Sequence, residues 1–299
     1  MTKAAHTSRP ASGDRAQRFL FEKADIRGSS VHLNAAYREI LAIHQYAYGV
    51  GRLLGEFLSA AVLLSTNLKF EGKLILQVRS QGQIPLLMAE CDHALRLRGI
   101  ARGAEHATSN SNDQLLGNGQ LAITIDPIKG QRYQGIVALQ QGSLAHSLDA
   151  YFEQSEQLKT RIWLAADGQR AGGLVLQQLP AQITADEAQR LQQWDHACAM
   201  ATTVTAAELL DLDAQRLLYR LYHEDPVRLF EPSPVSFHCT CSRARTRNAL
   251  TTLHPTELEE LLNELGSITM DCEFCNQQYI FNRSDLADVL RGDGTKTLH

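Results

Sequence analysis

The sequence predicts an α+β protein. It reads as a mixed sheet-and-helix core over residues 18–182, a helical linker region over 183–232 and a small module over 233–290. Three observations carry this. Before Pro180, strand-like and helix-like runs follow one another without the regular alternation of a doubly wound fold. After Pro180 the strand signals give way to helix-capping signals. Four of the six cysteines, Cys239, Cys241, Cys272 and Cys275, crowd into the last quarter.

Taken in order, residues 1–17 are polar, carry Pro10, Ser12 and Gly13, and are expected to be a disordered lead. From Ala36 to Leu64 apolar residues recur at three and four, which predicts helix, with Gly51 and Gly55 marking a turn or a close helix contact. From Lys69 to Val78 the period changes, and Leu74-Ile75-Leu76-Gln77-Val78 predicts a strand. Gly82 and Pro85 then supply a turn before Leu86-Leu87-Met88. Further strands are expected at Leu121–Ile125, Ile136–Leu139, Arg161–Leu164 and Gly173–Leu179, with a helix over Ser143–Gln157. Gly117-Asn118-Gly119-Gln120-Leu121-Ala122 fits the letters of a dinucleotide fingerprint, but a strand follows where a helix is required. It reads as a hairpin turn.

Beyond Pro180, Thr184-Ala185-Asp186-Glu187 and Thr205-Ala206-Ala207-Glu208 each match a capping box. In a later helix Ala214, Leu217, Leu218 and Leu221 fall at i, i+3, i+4 and i+7, an apolar stripe that must lie on something. Pro226, Pro232 and Pro234 punctuate the approach to the cysteines, and residues 291–299 are expected to be a flexible tail.

Composition narrows the function classes. The 299 residues carry 29 Lys+Arg against 33 Asp+Glu, a net charge of -4, with 44% apolar and 21% charged residues. That balance suits neither a polyanion binder nor a disordered acidic chain. No run reaches the ~18 apolar residues of a membrane span, the best, Leu53 to Leu64, being shorter and carrying Glu56. The first twenty residues include Arg9, Asp14, Arg15 and Arg18 and lack an apolar core, so no secretory signal is expected and the protein reads as cytoplasmic. In a reducing compartment, clustered cysteines point to metal or redox chemistry more than to structural disulfides.

Cys239-Thr240-Cys241 and Cys272-Glu273-Phe274-Cys275 bracket a foldable insert. Pro255 can start a helix there, Leu258, Leu261, Leu262 and Leu265 stripe one face, and Gly266 stops it. Two short-spaced pairs brought together by an insert supply four thiolates in a tetrahedron that suits Zn2+ or an iron-sulfur centre, of which Zn2+, one per chain, is the expected occupant. Thiolates are also the reactive form of cysteine, and Arg243, Arg245 and Arg247 are expected to favour them. Oxidation of a pair would then eject the metal and unfold a module that depends on it. Three other readings stand beside this switch: a structural zinc ribbon serving an adaptor, a thiol-disulfide oxidoreductase using Cys272 and Cys275, and a nucleic-acid ribbon. Charge opposes the last, since residues 233–290 hold four Arg and no Lys against eight acids. Cys91, near His93, and Cys198, near His196, are expected to be packing residues. No P-loop, zincin or nucleophile-elbow motif is present, and no enzymatic activity is expected.

Beyond the cysteines, the chain resembles the redox-regulated 33-kilodalton heat-shock chaperone family of bacteria. The residues that carry the likeness include Phe19-Leu20-Phe21-Glu22, Asp25-Ile26-Arg27-Gly28, Leu53-Leu54-Gly55-Glu56, Leu68-Lys69-Phe70-Glu71-Gly72, Gly130-Gln131-Arg132-Tyr133-Gln134-Gly135-Ile136-Val137 and Tyr151-Phe152-Glu153-Gln154-Ser155-Glu156-Gln157-Leu158. Leu218-Tyr219-Arg220-Leu221-Tyr222-His223-Glu224 and Phe237-His238-Cys239-Thr240-Cys241-Ser242-Arg243 extend it, so that it covers about residues 18 to 290. The resemblance implies an ATP-independent holdase, inactive when reduced and zinc-bound and switched on by hypochlorite, or by peroxide with heat. It implies redox-active disulfides joining Cys239 to Cys241 and Cys272 to Cys275 with zinc released. The segment from about Ile183 to Pro232 would then loosen and expose a surface for unfolding client proteins, in a form that acts as a homodimer. It implies neither a nucleic-acid partner nor a membrane.

Overall fold

In the computed structural model the described residues are 13–67, 71–140, 142–156 and 158–291. Apolar side chains run all round the helix Tyr48–Ser65, and every residue from Gly49 on is buried except Arg52. A helix of that kind has no solvent face and must be covered on all sides. Two six-stranded sheets cover it. The first has the order Val227–Leu229, Arg15–Phe21, Ile26–Leu33, Ala171–Gln178, Thr160–Ala166, with the short strand Ser233–Pro234 also on Arg15–Phe21, all antiparallel. The second has the order Ser236–Phe237, Arg96–Arg102, Leu86–Asp92, Gly72–Arg79, Gln120–Pro127, Tyr133–Ala138, antiparallel except where Ser236–Phe237 joins Arg96–Arg102. The main core lies between the sheets around the helix, with Leu53, Leu54, Phe57 and Leu58 fully buried. By length and composition Tyr48–Ser65 could also cross a membrane, but 89% of it is buried inside the fold, which makes it a core helix.

The α+β class predicted from the sequence is the one observed, with several local differences. The single helix expected over 36–64 is two, Ala35–Leu41 and Tyr48–Ser65. No proline or glycine breaks the chain between them; a long-range contact does, since the Tyr46 hydroxyl accepts the Ala101 amide at 3.2 Å. Gly55 is a close contact, as expected: a Cβ there would lie 2.7 Å from the Ala166 Cβ and 2.8 Å from the Tyr37 ring. The strand Arg15–Phe21 lies partly within the expected disordered lead, held there because buried Asp14 accepts the amides of Asn34, Ala35 and Ala36 and so ties this segment to the start of a helix. Residues 1–12 of that lead, and 292–299 of the tail, lie outside the described residues. Gly117 does not turn a hairpin; with φ of 51° it ends the short helix Asn112–Leu116 ahead of the strand Gln120–Pro127. The helix expected to Gln157 runs as Leu144–Tyr151 and a π turn, Phe152–Glu156.

The outer face of the first sheet carries a second core. Helices Glu187–Thr202, Ala206–Asp211 and Ala214–Tyr222 lie on Phe19, Phe21, Ile26, Leu174 and Leu176. The predicted stripe Ala214, Leu217, Leu218, Leu221 is buried in this layer. Thr205 and Glu208 form the expected capping box, whereas the first of these helices is capped by Asp186, which accepts the Ala188 amide, and not by Thr184.

One compact unit runs to His238 and a second begins at Cys239. Ser233–Pro234 and Ser236–Phe237, expected with the cysteine module, are strands in the larger unit's sheets. The smaller unit comprises helices Arg243–Leu250, Pro255–Leu265 and Ala287–Leu290 and the hairpin Ser267–Asp271 with Gln278–Asn282. Its core holds Leu258, Leu262, Ile268 and Phe281. As the sequence predicts, Pro255 opens the insert helix and Gly266, at φ of 73°, closes it, although Leu265 of the expected stripe is 63% exposed.

Candidate metal centre

Both cysteine pairs are delivered by short, locally determined backbone. Cys239 and Cys241 precede the helix Arg243–Leu250, whose start is fixed by the Ser242 hydroxyl accepting the Arg245 amide at 3.3 Å. Cys272 and Cys275 occupy the turn between the two hairpin strands. There the Cys272 carbonyl accepts the amides of Cys275 (3.1 Å) and Asn276 (2.7 Å), the Cys272 amide donates to Gln277 (2.9 Å), and Asn276 takes a left-handed φ of 54° that an Asn tolerates well. The turn therefore presents both thiols on one side.

All four Sγ atoms lie within 4.8 Å of one another. Cys239 and Cys272 approach to 3.7 Å, and Cys241 and Cys275 to 3.4 Å. Four sulfurs bound at ~2.3 Å around a tetrahedral Zn2+ stand about 3.8 Å apart, so the quartet has the size and donor chemistry of a closed thiolate site. These four side chains could hold a metal ion. These two approaches are edges between the short pairs; in a tetrahedron the edges within each pair are equally long, and the four sulfurs are thiols not joined in disulfides.

The electrostatics differ from the sequence expectation. Arg243 stacks on Phe281 and pairs with Asp285 at 2.9 Å, Arg245 donates to the Thr240 carbonyl at 2.9 Å, and Arg247 bonds the Asp285 carbonyl and the Asp288 carboxylate. These arginines brace the loop and helices instead of charging the thiols. Burial pushes the Cys241 thiol up, but a hydrogen bond from the Tyr279 hydroxyl, donated at 3.2 Å, together with the neighbouring thiols, brings it below the ordinary cysteine value. Burial pushes Cys272 and Cys275 up. Tyr279 is a site residue that the cysteine spacing alone does not disclose. Its only sequence signal is its place four residues past Cys275, on a strand whose register brings it back to the turn. Outer hydrogen bonds of this kind typically hold ~10–100-fold in metal affinity. Tyr279→Phe is therefore expected to keep the metal but to surrender it to a chromophoric chelator at a correspondingly lower chelator concentration; an unchanged competition curve would remove Tyr279 from the site.

The other cysteines are packing residues. Cys91 is fully buried on its strand, where burial pushes its thiol up to about 12, and Cys198 sits half-buried against the second core with its thiol likewise raised to about 12 by burial. Their neighbouring histidines are engaged elsewhere: His93 bonds Gly72, and His196 reaches Asp225 at 3.3 Å.

With the fold and the quartet in place, comparison with known proteins is decisive. A sequence model of the family described as Hsp33 protein matches residues 14–282. The chain belongs to the Hsp33 family. It is 52% identical over 286 residues to the 33 kDa chaperonin of Pseudomonas paraeruginosa, covering 95% of this chain and 96% of that one. It is 51% identical over 285 residues to the 33 kDa chaperonin of Azotobacter vinelandii, covering 94% and 96%. The crystal structure of the 33 kDa chaperonin (heat shock protein 33 homolog) of Thermotoga maritima superposes with a TM-score of 0.79, covering 93% of this chain and 98% of that one at 22% identity, which shows the shared fold. Membership of this chaperone family supports a chaperone role, and the Hsp33 cysteine cluster is suited to zinc binding and redox regulation.

Proposed function

We propose that this chain is a redox-regulated, ATP-independent holdase whose four clustered thiols are its switch. The observation that carries the reading is the convergence of Cys239, Cys241, Cys272 and Cys275 within 4.8 Å in a small unit with little core of its own. Reduced, these four sulfurs would hold one Zn2+, which when bound supplies the cross-links that so small a unit needs. Hypochlorite would take two electrons from each thiolate pair, leaving one S–S bond, and with two protons from the solvent would itself be reduced to chloride and water. The resemblance assigns the bonds to Cys239–Cys241 and Cys272–Cys275. Losing the thiolates removes the donors of the site, the module unfolds, and helices 187–222 then loosen from the first sheet. Their apolar faces, with Phe19, Phe21 and Leu174 beneath, are of the kind that captures unfolding clients. A homodimer as the active form, and the cytoplasm as the compartment that keeps the thiols reduced, belong to the same reading.

The turn position of Cys272 and Cys275, between two strands, argues against a thioredoxin-like oxidoreductase, whose motif opens a helix. Titration with hypochlorite tests the proposal: metal release, followed with a colorimetric chelator, should rise together with suppression of thermal aggregation of a client protein. Metal loss without any gain of holding activity would leave a structural zinc unit and sink the chaperone switch. Mass-spectrometric mapping of the oxidised protein should find the two short-range disulfides; Cys239–Cys272 or Cys241–Cys275 cross-links would overturn the pairing.

A further inference from the structure

Helices 187–222 are held on the first sheet by an apolar layer, but two further contacts, one just before the segment and one at its middle helix, are not apolar. Just before it, Asp25, 4% exposed, accepts the amides of Gln182 at 3.1 Å, Ile183 at 3.0 Å and Thr184 at 3.2 Å, and lies 3.7 Å from the Arg190 guanidinium. The same Arg190 donates to the Leu179 carbonyl at 2.9 Å. One buried carboxylate thus gathers three consecutive main-chain donors, the last of them, on Thr184, itself buried. Burial alone would raise the carboxyl, but these hydrogen bonds and Arg190 hold it below the usual carboxylate range. At the middle helix, Gly172 on the strand Ala171–Gln178 faces Ala206–Asp211. A Cβ there would lie 2.6 Å from the Leu209 carbonyl oxygen and 3.1 Å from that of Val31. Only a residue without a side chain lets this helix approach so closely, and Arg170 pairs with both Asp167 and Asp211 beside it.

We propose that Asp25 and Gly172 are the positioning residues that latch helices 187–222 to the core, so that together they set how readily the segment is released. This rests on the reading of the chain as a holdase whose activity follows that release. The two latches work by different physics: Asp25 by charge-assisted hydrogen bonds to main chain, Gly172 by the absence of a steric obstacle. Neither touches a cysteine, so a change at either alters release without altering the oxidation chemistry. Loss of a buried, charge-assisted bond, or a forced displacement at Leu209, is expected to raise opening of the segment by roughly tenfold to a hundredfold.

The test uses the full, reduced, zinc-loaded chain with Asp25→Asn and Gly172→Ala made separately. Asp25→Asn keeps the shape of the side chain, and protected amides in Tyr48–Ser65 report whether each variant's core is folded. Hydrogen exchange of residues 187–222 should accelerate by that factor in both variants, with zinc content unchanged, and both should suppress client aggregation at a lower hypochlorite dose than the parent. Parent-like exchange in 187–222 in both variants would overturn the latch. Faster exchange with an unshifted hypochlorite dose would overturn its control of holding. Failure of the functional reading is separately visible, because the oxidised parent chain itself would then fail to hold client.

Discussion

The reduced chain stripped of its metal is expected to lose the fold of residues 239–291 while the two-sheet unit stays intact. The smaller unit's core rests on a few side chains, Leu258, Leu262, Ile268 and Phe281 foremost, and domains of this size sit at the margin of what burial alone can stabilise. Its two halves are otherwise joined by exposed or half-exposed ion pairs, such as Arg243 with Asp285, which contribute little each. A structural thiolate site binds zinc with an apparent ~10–16 kcal/mol, several times what such a core supplies, and that binding energy is folding energy. Chelation should therefore collapse amide protection across 239–291, leave it in Tyr48–Ser65, and be reversed by added Zn2+. Cys272→Ser should reproduce the collapse without chelator. Protection that survives in the smaller unit after complete zinc loss would show that its own core suffices, and the oxidation switch would lose its mechanism.

What the sequence discloses about this molecule is what local chemistry decides. The cysteine spacing, the Thr205–Glu208 capping box, the Pro255 start and Gly266 stop of the insert helix, and the stripe at Ala214, Leu217, Leu218 and Leu221 each involve residues within a few positions of one another, and each is found in place. What it hides depends on contacts between distant segments. The break after Leu41 is held by Tyr46 against Ala101, and Asp25 and Asp14 reach amides remote from them in sequence. The three arginines after Cys241 illustrate the limit: proximity in sequence suggests charge on the thiols, but Asp285 and Asp288, some forty positions on, take up two of them. Tyr279 is missed for the same reason, since only the hairpin register carries its hydroxyl to Cys241.

Raising the pH through neutrality is expected to weaken the larger unit, with Glu56 as the principal cause. Glu56 lies on the central helix, 8% exposed, paired with Arg52 at 2.5 Å, while Arg52 also donates to Asn112 at 2.7 Å. Burial pushes the Glu56 carboxyl up to about 7, against the lowering effects of Arg52 and Asn112. Because the folded chain holds this proton more tightly than the unfolded one, whose value is 4.5, the fold is favoured most at acid pH. Stability then declines from near the unfolded value up to the folded one and levels off above it. The full span corresponds to about 3 kcal/mol at most. Asp149, raised to about 6 by burial, acts in the same direction, so the parent's slope is not Glu56's alone. Glu56→Gln isolates it: the neutral amide keeps the volume and needs no proton, so the variant should gain on the parent at about pH 8 and not at about pH 5, read from urea unfolding midpoints at equal m-values. Arg52→Met should do the reverse, since it leaves a buried carboxylate without its countercharge. Parallel pH profiles for parent and Glu56→Gln would mean that the carboxylate is ionised throughout, fully compensated by Arg52, and that the central helix carries a permanent ion pair in place of a titrating group.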